Sequence, residues 1–150
     1  MNGFRFRLQS LLRYRKHRLD QCLQLLAQIL ADDRSLIDQR ARLERNKMGQ
    51  LNELRDLGKQ TALNVDAAAA RRYFIGQLNG QMANIDHQRE IVAGQLEMCR
   101  QAIFRAENEV KVLEKLQAKQ QEAFDYELER RTSREVDDMW LAAHFREMLR

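Results

Sequence analysis

Proline is absent from this 150-residue chain, and there are only six glycines. Without the residue that most firmly ends a helix, and with few of the residues that make tight turns, the chain reads as long helices and not as a globule. Cysteine is nearly as scarce. Cys22 and Cys99 have no Cys-x-x-Cys spacing and no nearby histidine, so they do not read as a metal signature. Both fall on apolar helical positions, which suits small buried hydrophobes. No apolar run reaches the ~18 residues that a membrane span needs. The basic N-terminus is followed by amphipathic sequence, without the uninterrupted apolar region or small-residue cleavage site of a signal peptide. A soluble, cytoplasmic protein is the expectation.

Catalytic groupings are missing too. His17, His87 and His144 are scattered, and Ser10, Ser35 and Ser133 have no patterned base or orienting acid. No glycine-rich loop is available to cradle phosphate. The carboxylates are interleaved with Arg and Lys along helical surfaces, where solvated ion pairs are the ordinary role. The chain is therefore read as no enzyme, with no metal and no cofactor.

What the chain does have is a repeat. Steps of three and four residues in alternation meet Ile75, Leu78, Met82, Ile85, Arg89, Val92, Leu96, Cys99, Ile103, Ala106, Val110, Leu113, Gln117, Gln120 and Phe124. A hydrophobic period near 3.5 residues, kept over seven heptads, makes a narrow seam that another helix must cover. A first amphipathic helix over 4–57 carries apolar residues such as Phe4, Leu8, Leu12, Leu19, Leu23, Ile29, Leu30, Ile37, Leu51 and Leu57. It reads as less regular, interrupted at Asp33, Arg40 and Lys47, and such interruptions help to fix register. Gly58 suits a left-handed residue after a helix C-terminus, and Asn64 or Asp66 suits the N-cap of the next helix. The turn is placed at about 58–66, Met1 to Gly3 are expected to be loose, and helix two spans about 67–145.

Two long helices joined by a short connection fold back on each other. The fold class is all-α: a long antiparallel two-helix coiled-coil hairpin over 1–150, with the second helix longer and overhanging at its C-terminal end. Facing residues then sum to about 124, which brings Cys22 close to Cys99. About 25 residues of helix two are left without a partner in the hairpin. A monomer is the expectation, although a seam that closes within a hairpin can also close between chains.

Three groups remain for contact with other molecules. The N-terminal segment holds Arg5, Arg7, Arg13, Arg15, Lys16 and Arg18 with no acid before Asp20. It is either a solvated face pairing with Glu107, Glu109, Glu114 and Glu122, or a binding patch. Nucleic acid is permitted by the net charge of +4, but such binding also wants exposed stacking aromatics or a known module, and neither is evident. The overhang carries Val136, Met139, Leu141, Phe145, Met148, Leu149 and the chain's single tryptophan, Trp140. Apolar aromatics without an internal partner mark an intermolecular contact. Near the turn lie Tyr73, Phe74 and Leu78. Leu78 is on the seam, while Tyr73 and Phe74 sit off it, so at least one of them should be exposed.

The opening Phe4-Arg5-Phe6-Arg7-Leu8-Gln9-Ser10-Leu11-Leu12-Arg13-Tyr14-Arg15 resembles the N-terminus of the FliJ family, the coiled-coil proteins of flagellar type III export. Val110-Lys111-Val112-Leu113-Glu114-Lys115-Leu116 is similar to that family's characteristic C-terminal motif. An acidic pair follows, here Asp137-Asp138 where the family commonly has Asp-Glu. The resemblance spans essentially the whole chain. It implies a non-enzymatic stalk or adaptor that binds the export ATPase hexamer and the export-gate membrane protein and escorts export chaperones. It also implies a position at the inner face of the cell membrane, held there through partners. By position, Tyr73, Phe74 and Leu78 correspond to gate-linked residues near the turn. The termini, with Arg5, Arg7, Arg13, Arg15, Asp137, Asp138, Trp140 and Phe145, correspond to the part that engages the ATPase. An injectisome stalk or a generic coiled-coil scaffold would have the same architecture.

Overall fold

In the computed structural model the described residues are 3–62 and 64–150. Met1, Asn2 and Leu63 lie outside them, as does the expectation that Met1 and Asn2 are loose. The chain is an all-α helical hairpin of two long helices packed against each other, α1 (Gln9–Gly58) and α2 (Val65–Met148). Among the described residues there is no strand, and no helix is long and apolar enough to cross a membrane.

Helix α1 begins five residues later than the periodicity predicts. Residues 3–6 are non-helical, Phe4 is half-buried and Phe6 is buried, while Arg5 and Arg7 are exposed. The physical reason is the period of the segment. Phe-Arg-Phe-Arg alternates every second residue, and extended backbone puts residues i and i+2 on one face. A helix would turn Phe6 roughly 200° away from Phe4. Extended backbone lets both rings reach the helix pair.

The turn also departs from expectation. Gly58 is the last residue of α1, and no glycine among the described residues has a positive φ. The helix end is instead closed by tighter bonds, with the Lys59 N–H donating to the Asp56 carbonyl at 3.2 Å and the Gln60 N–H to the Leu57 carbonyl at 3.3 Å. Such i to i−3 bonds satisfy terminal carbonyls without a left-handed residue. Of the two cap candidates Asn64 takes the role. Its Oδ1 accepts from the Ala67 N–H at 3.1 Å, and its carbonyl accepts from the Ala68 N–H at 3.1 Å. Asp66 lies in the first turn of α2, where a negative charge suits the helix dipole. Helix α2 starts two residues earlier and ends three residues later than predicted.

The α2 seam follows the repeat closely. Every position from Ile75 to Phe124 in that series is buried or half-buried except Gln120, where Gln121 turns inward instead. The α1 seam keeps the same alternation as that of α2, and Asp33, Arg40 and Lys47, where the sequence reads as interrupted, occupy seam positions themselves. Leu12, Arg15, Leu19, Cys22, Leu26, Ile29, Asp33, Leu36, Arg40, Leu43, Lys47, Gln50, Leu54 and Leu57 are all buried or half-buried and alternate by three and four. Leu23, Leu30, Ile37 and Met48, which seemed part of the pattern, flank the seam and are exposed.

The chain divides into two compact units. One comprises the N-terminal segment to Leu19 together with Phe104–Arg150. Its core is Phe6, Leu12, Val110 and Leu113, with Phe4, Leu11 and Leu19 packed against it. The rings of Phe4 and Phe124 meet at 5.8 Å with a 53° tilt. Arg15 pairs with Glu109 and Lys16 with Glu114, both at 3.4 Å.

The other unit is Asp20–Ile103, with Ile29, Leu78, Met82, Ile85, Cys99 and Ile103 buried. Here two of the charged seam positions of α1, Asp33 and Arg40, meet partners on α2. Arg89 donates from Nε to Asp33 at 2.9 Å and from Nη2 at 3.4 Å. Arg40 donates from Nε to Asp86 at 2.7 Å and from Nη2 at 3.3 Å. The Asp86 hydrogen bond and charge hold the Arg40 guanidinium above its ordinary value, and the Asp33 hydrogen bond does the same for Arg89. A raised folded-state value stabilises at every pH below the ordinary guanidinium range and is lost only in strong alkali, so it brings no pH dependence near neutrality. The thiol of Cys99 donates to the Cys22 carbonyl at 3.6 Å, and Arg71 bridges to Glu53 at 2.7 Å.

Candidate functional sites

Three groups of side chains are left over once the seams are packed. In the first unit, the extended segment and the first turns of α1 border a groove of about 430 Å³ lined by Phe4, Arg5, Phe6, Arg7, Gln9, Ser10, Arg13 and Gln117. Gln117 Nε2 donates to Gln9 Oε1 at 3.3 Å within it. Of the sequence-identified arginines, Arg5, Arg7 and Arg13 are exposed, line the groove and form no ion pair among the described residues. Arg15 is different, since it is half-buried on the seam and paired with Glu109. Of the four glutamates that could have neutralised the segment, only Glu109 and Glu114 do so.

The second group is the part of α2 beyond Phe124, where every residue is exposed. Continuing the seam count past Phe124 meets Glu127, Arg131, Arg134 and Asp138, and then Leu141, Phe145 and Met148. The seam turns charged where the described residues supply no partner and apolar again in the last two turns. Side-chain contacts along this stretch are local to the helix. Glu127 pairs with Arg130 and Arg131 at 3.7 and 3.8 Å, Arg130 lies over the Tyr126 ring at 6.0 Å, and Thr132 Oγ1 donates to the Leu128 carbonyl at 2.9 Å. Trp140, 63% exposed, stacks on His144 with centroids 5.1 Å apart. Asp137 and Asp138 are exposed beside it, and Phe145 is equally open.

The third group belongs to the second unit, just after the turn. Tyr73 and Phe74 both face solvent, and the Tyr73 hydroxyl accepts from Gln77 Nε2 at 2.8 Å. Leu78 is only 3% exposed and serves the seam, so it supports α2 beneath the aromatics and offers no surface of its own. Sequence reasoning missed the groove, because its rim depends on the extended N-terminal segment. The signal that pointed to it was the two-residue alternation of Phe and Arg.

Among known proteins, a family model described as Flagellar FliJ protein matches residues 4–149. No curated protein and no solved structure matches the chain.

Proposed function

The chain belongs to the flagellar FliJ protein family, a non-catalytic component of flagellar protein export, and on that premise we propose that it is a stalk and adaptor between the export ATPase and the export gate. Residues at the termini, Arg5, Arg7, Arg13, Arg15, Asp137, Asp138, Trp140 and Phe145, engage the ATPase hexamer. Tyr73 and Phe74, held in place by Leu78, engage the gate protein. The same coiled coil escorts export chaperones and resides at the inner face of the membrane through these partners. Its mechanism is contact: by mass action, binding biases the ATPase or the gate toward whichever state it prefers.

The observation that carries this reading is the return of the seam to Leu141, Phe145 and Met148 on a stretch of α2 with no partner among the described residues. Apolar residues in seam phase, exposed beside the only tryptophan, fit a helix that docks into a groove or ring supplied by another protein. Charged residues at the intervening seam positions keep the unpaired stretch soluble. In a purified system, Trp140→Ala with Phe145→Ala should abolish ATPase binding and stimulation without loss of helicity. Unchanged stimulation would remove this role from the overhang. For the gate, Tyr73→Ala with Phe74→Ala is the informative pair, because substituting Leu78 would disturb the seam as well. Undiminished gate capture by that pair would remove the assignment.

A further inference from the structure

Arg5, Arg7 and Arg13 surround one groove that no carboxylate enters. What sets these three apart is their convergence on one groove, since Arg15 and Lys16, next along the same helix, are each taken up by a glutamate of α2. The first turn of α1, which faces the same groove through Gln9 and Ser10, also holds no acidic residue. Partial positive charge at a helix N-terminus therefore adds to three guanidiniums without local neutralisation. The remaining lining is suited to donation. The Gln9 carbonyl oxygen is engaged by Gln117, which leaves the Gln9 amide nitrogen to donate outward, and the Ser10 hydroxyl is exposed. Phe6, only 6% exposed, and the half-buried Phe4 make the floor firm, so the arginines at positions 5 and 7 are held on one side of an anchored segment.

We propose that this groove binds a phosphate-bearing group, either that of a small soluble phosphate compound or that of an anionic phospholipid. Guanidinium forks match the oxygens of phosphate in pairs, and several forks around one pocket can engage more oxygens of a phosphate group than a single carboxylate offers. A volume of about 430 Å³ accommodates a pyrophosphate or a lipid headgroup. The inference concerns a ligand other than the ATPase and holds whether or not the termini also dock there, since its probes contain no protein partner.

The test is titration of the full chain at about 0.15 M salt. The probes are inorganic pyrophosphate and vesicles of phosphatidylglycerol in phosphatidylcholine, with pure phosphatidylcholine vesicles as the blank. Saturable binding of either probe is expected: pyrophosphate alone identifies a soluble phosphate, and vesicles alone identify a headgroup. Arg5→Lys with Arg13→Lys keeps the charge but removes the fork, and should weaken binding about tenfold or more. Arg34→Ala with Arg45→Ala removes two exposed charges elsewhere on α1 and should leave affinity within about twofold. The proposal is overturned by no saturable binding of either probe, by an unchanged lysine variant, or by an equal loss in the distant pair. It is also overturned if a polyglutamate peptide binds more tightly than pyrophosphate, which would make the groove a seat for acidic protein.

Discussion

Asp33 receives both arms of the Arg89 fork, and one heptad further along α1 the same arrangement recurs with its charges reversed, Arg40 holding Asp86. The reversal penalises slippage. Sliding α2 by one heptad in one direction brings Arg89 to Arg40, and in the other it brings Asp86 to Asp33. Either error sets like charges together. Asp33→Arg with Arg89→Asp preserves an ion pair in the native register but makes both slipped pairings attractive. Label-to-label distances across the hairpin should be single-valued in the wild type and acquire a second population shifted by about 10 Å in this variant. One unshifted distance would show that apolar packing alone sets the register.

Leu12 is 2% exposed and packs with Phe6, Val110 and Leu113, so Leu12→Ala should cost ~2–5 kcal/mol in urea unfolding. Trp140→Ala touches nothing but its own helix and should fall within about 0.5 kcal/mol of wild type. Similar losses for the two would mean that the overhang is packed against something in the free protein.

The two helix ends at the turn are closed by different means, and substitution of Gly58 and Asn64 separates them. Gly58 has no positive φ, and a Cβ there would meet nothing within 4 Å. Gly58→Ala should therefore stabilise by about 0.5–1 kcal/mol, through the unfolded chain. Asn64→Ala loses the cap to the Ala67 N–H and should destabilise by about 1 kcal/mol. Thermal unfolding of both variants checks the signs, and a destabilised Gly58→Ala would restore the left-handed turn.

The Cys99 sulfur lies 3.6 Å from the Cys22 carbonyl, within one layer of the seam. Mild oxidation should therefore yield mainly an internal cross-link, seen as faster migration on a non-reducing gel. In the native state Cys99 should be alkylated more slowly than Cys22, because Cys99 is buried and Cys22 only partly so. Mainly intermolecular product would point to an extended dimer.

How legible these features were in the sequence depended on which signal was local. The α2 seam was readable because its apolar residues stand clear of polar neighbours, as at Leu78, Met82 and Ile85. The α1 seam was obscured from both sides: Asp33, Arg40 and Lys47 occupy seam positions, while Leu23, Leu30 and Ile37 sit one residue off them. Only the cross-helix partners Arg89 and Asp86 show why charge is tolerated there, and those lie far away in sequence. The overhang with Trp140 could be counted from helix lengths and a register. The groove could not, because it depends on Phe4 and Phe6 leaving the helical period for an extended one. Leu78 shows a further limit, since seam phase and proximity to Tyr73 and Phe74 gave it two roles and burial left it one.

Among the described residues nothing packs against the stretch of α2 beyond Phe124. Starting a helix is the costly step and extending one is cheap, so this segment inherits its order from the paired turns upstream. In the proposed ATPase contact its aromatic residues would arrive already arranged, with little ordering entropy subtracted from the affinity. The dependence also makes the segment vulnerable at a distance. A proline at Glu129 would cut the stretch off from its nucleus and leave about 20 residues without the packing that helices in proteins mostly depend on. Trp140 and Phe145 would then lose their presentation while the Leu12 core remained intact.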